Sequence, residues 1–113
     1  MRSKSSITTK RSITTKRKTF PPVHPGAILA EDLEDAGISM NKLAQAIHVP
    51  MNRISAIVNG RRGITGDTAL RLARYWGTTP EYWMNLQSHY ELEVAKDAAG
   101  SEFSTIKPHS AAA

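Results

Sequence analysis

The chain has 113 residues, no cysteine and a hydrophobic content of 40%, enough for one small globular domain. Without cysteine, neither a disulfide framework nor a cysteine-ligated zinc site can form, and no apolar run approaches the roughly 18 residues of a membrane helix. The net charge of +5 comes from residues 1–23, which hold seven basic residues and no acid, whereas the rest of the chain sets eight basic residues against ten acids and is close to neutral.

The two ends of the chain are predicted to lie outside the folded domain. Residues 1–20 contain SITTKR twice, at 6–11 and 12–17, and have little apolar mass to bury. We expect a flexible basic arm there, which either adds affinity for nucleic acid or is an inert extension. Residues 97–113 show no periodicity and are predicted to form an irregular tail. No secretory leader is recognised, and we expect a cytoplasmic protein.

Residues 21–96 are predicted to be all-α, because their apolar residues recur at helical spacing and no segment alternates with the period of a strand. Capping residues and Gly or Pro stops predict five helices, at residues 25–36, 40–47, 51–59, 66–76 and from 80 onward. The residues expected to face the core from the first, second and fourth helices are Ile28, Leu29, Leu33, Ala36, Met40, Leu43, Ala44, Ile47, Ala69, Leu70, Leu72, Ala73 and Trp76. The fifth helix carries a stripe of Trp83, Leu86, Tyr90 and Val94.

The second and third helices are separated by about three residues, which is the spacing of a helix-turn-helix motif. In that motif the second helix of the pair can enter the major groove of DNA. Small Ala44 lies where the two helices must approach, and the expected core positions hold Leu43, Ile47, Val49, Ile54 and Ile57. An ordinary αα-corner shows the same pattern, so both interpretations stay open. His48 occupies the turn position that often holds Gly, where a positive φ is costly.

The outer face of the third helix is predicted to press against base edges and phosphates. Asn bonds adenine bidentately and Arg bonds guanine or phosphate, while Ala and Met can touch thymine methyl groups. Residues at the start of the second helix would make positioning contacts. The two arginines after Gly60 either contact phosphates or are solvated loop charges. The complete predicted set is Asn41, Lys42, Met51, Asn52, Arg53, Ser55, Ala56, Asn59, Arg61 and Arg62.

No group of residues is typical of an active site. The four histidines are too scattered for a metal site, no Ser/His/Asp set has convincing spacing, and no glycine-rich phosphate loop is present. We therefore expect no catalytic residues, no metal and no cofactor, and a protein that is not an enzyme.

The segment from about residue 22 to residue 94 resembles the HigA-type (VapI-like) antitoxins, within the phage-repressor-like (XRE) helix-turn-helix proteins. The resemblance is carried by HPG before the first helix, by RISAIVNGRRGIT and by DTALRLARYWGTTPEYWMNLQ. HPG alone means little, but the three together are highly specific. The resemblance implies a five-helix helix-turn-helix domain at residues 21–96. The basic arm departs from the family, whose members commonly begin close to HPG.

The resemblance also implies a homodimeric repressor that binds operator DNA and neutralises a cognate HigB-type toxin, usually a RelE-like mRNA endonuclease. An RNA-cleaving toxin needs a positive surface, so the acids of the first helix, Glu31, Asp32, Glu34 and Asp35, are candidates for contacting it. Candidates for the dimer contact are Trp83, Leu86 and Tyr90 on the fifth helix. Two alternatives stay open: a stand-alone repressor without a toxin, or a toxin-binding module with little specific DNA binding.

Overall fold

The computed structural model describes residues 21–109, so the predicted arm and the last four residues lie outside the described part of the chain. Within that part the fold is all-α, as expected, and comprises five helices and no strand. The helices are α1 (Pro25–Ala36), α2 (Met40–Ile47), α3 (Met51–Val58), α4 (Gly66–Trp76) and α5 (Pro80–Phe103). None of the described helices is long and apolar enough to cross a membrane.

Side-chain caps explain where four of the helices begin. Ser39 Oγ accepts from the amide of Lys42 at 3.0 Å, and Thr79 Oγ1 accepts from the amide of Tyr82 at 3.1 Å. Thr65 caps α4 in the same way, and His24 caps α1 through Nδ1. A side-chain acceptor satisfies one of the amide donors that the first turn of a helix leaves unpaired. These caps are local in sequence, which is why the starts could be predicted.

The turn between α2 and α3 is a Schellman motif with a histidine in the left-handed position. The Val49 amide donates to Ala44 O at 3.0 Å and the His48 amide to Gln45 O at 3.3 Å, while His48 has φ 64° and ψ 47°. This bond pattern normally ends in Gly, because a side chain makes positive φ costly. The positive φ of His48 is energetically unfavourable, but the turn that it forms buries Val49 and brings α3 against α2. The predicted helix-turn-helix is therefore present.

Buried apolar side chains form the core of the helix-turn-helix. Leu43, Ile54 and Ile57 are fully buried, and Ala44 is small enough to let α2 and α3 approach. The N-terminus of α1 closes this core from the other side, since Gly26 lies directly against the carbonyl oxygen of Ile57 and has no room for a Cβ. The remaining buried apolar residues are Leu29, Leu33, Ile47, Val49, Ile64, Ala69, Leu72, Ala73 and Trp83.

α5 is fixed to this core by polar as well as apolar contacts. Trp83 is 0% exposed, and its Nε1 donates to Thr78 Oγ1 at 2.9 Å. Gln87 accepts from the buried amide of Ile64 at 2.7 Å and donates to Glu91 Oε2 at 2.9 Å. A buried amide that lost such a partner would cost about 1–3 kcal/mol. These bonds therefore hold the loop before α4 against the middle of α5.

Three details differ from the predictions. Leu70 is 61% exposed rather than buried, because Ala69, Leu72 and Ala73 form the inward stripe of α4 and Leu70 lies about 100° away from it. Ala36 is also exposed, at the last turn of α1. α5 continues to Phe103, so the first part of the predicted irregular tail is helical, with a kink at Ala99, whose φ of −149° is not helical. Residues 97–103 hold two alanines and a glutamate, which favour helix, but show no apolar periodicity.

Candidate nucleic-acid interface

The exposed face of α3 carries the first group of predicted contact residues. Met51 and Asn52, in its first turn, are exposed, whereas Ile54 and Ile57 on the opposite side are buried. Ala56 is half-buried. Pro50 begins α3 without a side-chain cap, and because the Arg53 amide donates to Pro50 O at 3.0 Å, the first-turn amides directed toward the end of the helix are those of Met51 and Asn52. This end of the helix offers hydrogen-bond donors and a methionine side chain to a ligand in front of it.

Ser55 and Asn59 occupy this face but bond each other. Asn59 Nδ2 donates to Ser55 O at 2.9 Å and lies 3.3 Å from Ser55 Oγ. The side chain of Asn59 is thus a second donor to Ser55 O, which already accepts from the backbone amide of Asn59 at 3.0 Å. Both residues are on the predicted surface, but part of their hydrogen-bonding capacity is used inside the chain.

Arg53 is tied to α4. Its Nη1 donates to Asp67 Oδ2 at 2.8 Å, and its side chain is 24% exposed. Arg71 Nε donates to the same oxygen at 2.9 Å. The pKa of the Asp67 carboxyl lies below its ordinary value, because Arg71 first and Arg53 second hydrogen-bond the charged form. Asp67 and Arg71 were missed in the sequence, where their i,i+4 spacing was the available signal.

The remaining predicted contacts lie around the ends of α2 and α3. Asn41 and Lys42 are exposed in the first turn of α2. Arg61 and Arg62 are exposed after a second Schellman turn, in which the Arg61 amide donates to Ala56 O at 2.8 Å and Gly60 has φ 76°. The turn fixes the direction in which the chain leaves α3. Both groups lie next to an end of one of the two helices that form the helix-turn-helix.

Basic and acidic residues are concentrated in different segments of the chain, which its net charge of +5 does not show. The segment from residue 38 to residue 79, which contains α2, α3 and α4, holds six basic residues and one acid, Asp67. The segment 24–37 holds four acids and no base, and 80–109 holds five acids and two bases. The positive charge of the described residues is therefore concentrated on the helix-turn-helix and α4.

The acids of α1 lie on a different element from this positive segment. Glu31, Glu34 and Asp35 are exposed, and Asp32 is half-buried. Burial, together with the nearby charges of Asp35 and Glu31, raises the pKa of Asp32 above its ordinary value. A groove of about 400 Å³ runs beside this helix, lined by Asp32, Asp35, Ala36, Trp76, Thr78 and Tyr82.

One predicted dimer contact is wrong. Trp83 is fully buried within its own chain, so its side chain cannot reach a second subunit. Leu86 is half-buried against the core, and Tyr90 packs edge-on against His24 with ring centroids 4.8 Å apart. Among the described residues no three His, Asp or Glu side chains are grouped to hold a metal ion.

Comparison with known proteins agrees with this geometry. Residues 29–83 match the helix-turn-helix family HTH_3. The chain is 46% identical to virulence-associated protein I of Dichelobacter nodosus over 86 residues, which are 75% of this chain and 80% of that protein.

Solved structures of antitoxins share the fold as well as the sequence. A HigA-family addiction module antidote protein from Coxiella burnetii has 47% identity and a TM-score of 0.76, covering 80% of this chain and all of its own. The Pseudomonas aeruginosa antitoxin HigA, solved with the higBA promoter, has 43% identity and a TM-score of 0.73, covering 77% of this chain and 97% of its own. The chain therefore belongs to the HigA-type antitoxins of the helix-turn-helix family.

Proposed function

We propose that this protein binds operator DNA upstream of its own gene and represses transcription from it. The observation that carries the proposal is the exposed polar face of α3, presented by a helix-turn-helix turn within the positively charged segment 38–79. The Pseudomonas aeruginosa relative, whose structure includes promoter DNA, supports the same use of the fold.

In this proposal α3 enters the major groove, and the residues on and around it contact either bases or phosphates. Asn52, Ser55 and Asn59 read bases, and Met51 and Ala56 contact thymine methyl groups. Arg53 contacts a base or a phosphate. The phosphate and positioning contacts are made by Asn41, Lys42, Arg61 and Arg62. The protein uses no cofactor or metal for this and carries out no reaction.

The test is a competition between two DNA duplexes of equal length. The full chain is titrated onto labelled DNA from upstream of its own gene and onto a shuffled version, with fluorescence anisotropy as the readout. We expect the upstream DNA to bind at least about 10³-fold more tightly, as specific repressors do. Equal affinity for both would favour the alternative in which the protein is a toxin-binding module with little specific DNA binding.

We further propose that the α1 acids dock a basic toxin, a RelE-like mRNA endonuclease of the HigB type. The support is chemical: an enzyme that holds RNA phosphates presents cations, and the α1 acids are exposed and separate from the DNA-binding face. Burial first, and then the charges of Asp35 and Glu31, raise the pKa of Asp32, and an incoming cation would offset the repulsion among these three carboxylates. The adjacent groove offers Trp76 and Tyr82 as aromatic walls for an Arg side chain.

Co-expression with the product of the neighbouring gene tests the toxin proposal. We expect that product to arrest growth alone, and to co-purify with this protein when both are present. Charge reversal at two exposed acids, Glu31→Lys with Asp35→Lys, should slow association in stopped-flow mixing and leave operator affinity within about twofold. A harmless neighbour that does not co-purify would leave a stand-alone repressor.

The protein is proposed to act as a homodimer, because two copies on a two-fold axis read two half-sites about 34 Å apart. The contact is assigned to the part of α5 beyond the core, where Val94, 39% exposed, lies four residues after Tyr90 and eight after Leu86 on the same helical face. An exposed apolar side chain there is typical of a surface that another subunit covers. Leu86 and Tyr90 adjoin this surface from the side of the core.

Sedimentation equilibrium measures this directly. The wild-type chain should sediment as a dimer of a 12.4 kDa subunit at micromolar concentration, and Val94→Glu should produce a monomer. Glu81→Lys, at the other end of the same helix, is the matched control and should stay dimeric. A monomeric wild-type protein would contradict the assignment.

A further inference from the structure

A hydrogen-bond network centred on one carboxylate oxygen links α2, α3 and α4. Asp67 Oδ2, in the first turn of α4, accepts from Arg53 Nη1 at 2.8 Å and from Arg71 Nε at 2.9 Å. Arg71 Nη1 donates in turn to Ile47 O at 2.9 Å and lies 3.4 Å from His48 O, at the end of α2. The network therefore links α4 both to α3 and to the turn that sets the direction of α3.

Asp67 is negatively charged, whereas the segment around it carries a net positive charge. It is the one acid in a segment with six basic residues, and its side chain is 55% exposed. A negative charge beside a DNA-binding surface repels phosphates, and exposed ion pairs contribute little to folding stability. Because Asp67 lies in the first turn of α4, the helix dipole favours a carboxylate there, but that local effect does not require the ion pair with Arg53 on α3.

The state of Arg53 supplies a reason. Its Nε is buried and has no hydrogen-bond partner among the described residues, so Asp67 is the group that holds the guanidinium in place. An arginine that is already held loses less side-chain entropy when it meets DNA, and its planar donors keep one orientation. Asp67 also shares Arg71 with the α2 carbonyls, which keeps the carboxylate from rotating away from Arg53.

We propose that Asp67 is a positioning residue for operator recognition, which orients Arg53 and stabilises the angle between α2 and α3 through Arg71. The inference rests on the proposed operator binding. It makes a prediction opposite in sign to simple electrostatics. Removing a negative charge should strengthen binding to every DNA, whereas losing the positioning of Arg53 should weaken binding to the operator alone.

The experiment compares Asp67→Asn with three other chains on upstream and shuffled DNA. Asp67→Glu keeps the carboxylate, and Glu93→Gln removes a carboxylate that is paired on α5 with Lys96 at 3.5 Å. We expect Asp67→Asn to weaken operator binding by about tenfold, the scale of one well-placed contact, while shuffled DNA binds equally or more tightly. Asp67→Glu should recover most of the loss, and Glu93→Gln should match wild type.

A second measurement separates positioning from a folding defect. Circular dichroism melts give the folded fraction, and a folding defect would weaken binding to both DNAs by the same factor. In an Arg53→Gln background, adding Asp67→Asn should cost less operator affinity than it does alone, because the group it positions is already gone. Additive losses, parallel losses on both DNAs, or unchanged or tighter operator binding by Asp67→Asn would each overturn the inference. A wild-type chain that binds both DNAs equally would overturn the proposed function and this inference with it.

Discussion

Among single residues, Asn52 gives the most direct test of base reading. It is exposed in the first turn of α3, whereas Ser55 and Asn59 partly satisfy each other. Asn52→Ala should therefore cost about 1–3 kcal/mol of operator binding and relax the preference for one base. Asn85→Ala, an exposed asparagine on α5, is the matched control. Operator titrations that superimpose for Asn52→Ala and wild type would remove Asn52 from the set.

His24 is predicted to make the stability of the protein depend on pH. Its Nδ1 accepts from the Gly26 amide at 2.8 Å, and burial lowers the pKa of His24 below its ordinary value of 6.5. The folded state therefore binds fewer protons than the unfolded state, and the contribution of His24 is present above pH 6.5 and is lost as the pH falls through its lower folded pKa. Protonation would also abolish the cap, since a protonated Nδ1 cannot accept.

Urea unfolding between pH 8 and pH 5 measures this effect. His24→Asn supplies an amide oxygen as cap acceptor and removes the titrating group, so its free energy of unfolding should fall less on acidification than that of wild type. The other three histidines are present in both chains and cancel in the comparison. Equal pH dependence of the two chains would show that His24 is not the group responsible.

Among the helices, the junction of α1 with α3 gives each residue of the HPG sequence a structural role. His24 provides the cap, Pro25 occupies the first helical position, and Gly26 admits the Ile57 carbonyl where a Cβ would overlap it. The triplet therefore sets both the start of α1 and its closest approach to the recognition helix.

Gly26→Ala should consequently destabilise the protein. The added methyl meets backbone atoms of α3, which cannot move aside as a flexible side chain would, and we expect a loss of about 1–3 kcal/mol in unfolding free energy. Gly66→Ala, at the start of α4, has nothing within 4 Å of the added Cβ and should be nearly neutral. Thermal melts followed by circular dichroism would contradict the prediction if the two variants had the same midpoint.

At the scale of the whole molecule, charge separates two prospective partners. The positive segment 38–79 faces DNA in the proposed function, and the acids of α1 face a basic protein. One chain can then hold both partners at once without placing like charges together. The predicted N-terminal arm, with all seven of its basic residues within positions 1–18, is expected to add to the DNA side of this division.

Deleting residues 1–19 is predicted to lower affinity for all DNA without unfolding the domain. The buried apolar core of the described part lies between residues 29 and 83, beyond the deletion. The shortened chain has fewer cations and therefore releases fewer counterions when it binds DNA. Its affinity for upstream and shuffled DNA should fall by the same factor, and the dependence of affinity on salt concentration should become shallower. Titrations at several salt concentrations that match those of the full chain would identify the arm as an inert extension.

Features that depend on near neighbours could be predicted from the amino-acid sequence. The caps at Ser39, Thr65 and Thr79, and the stop at Gly37, each act within a few residues, and so the ends of the helices could be placed closely. The 3.6-residue period identified the core of the helix-turn-helix, and the three motif stretches identified the family. α5 was too short in the prediction because residues 97–103 show no apolar stripe and include Gly100, which disfavours helix.

Contacts between residues that are distant in the chain depend on how the helices pack, and they could not be predicted from the sequence. Arg53 and Asp67 are 14 positions apart, and no local pattern shows that the arginine is held by α4 instead of projecting freely from α3. Trp83 has the spacing of an interface stripe, but the indole finds Thr78 and the core of its own chain. The physical reason is the same in both cases: periodicity gives the face of a helix, whereas what covers that face depends on how the other helices pack against it.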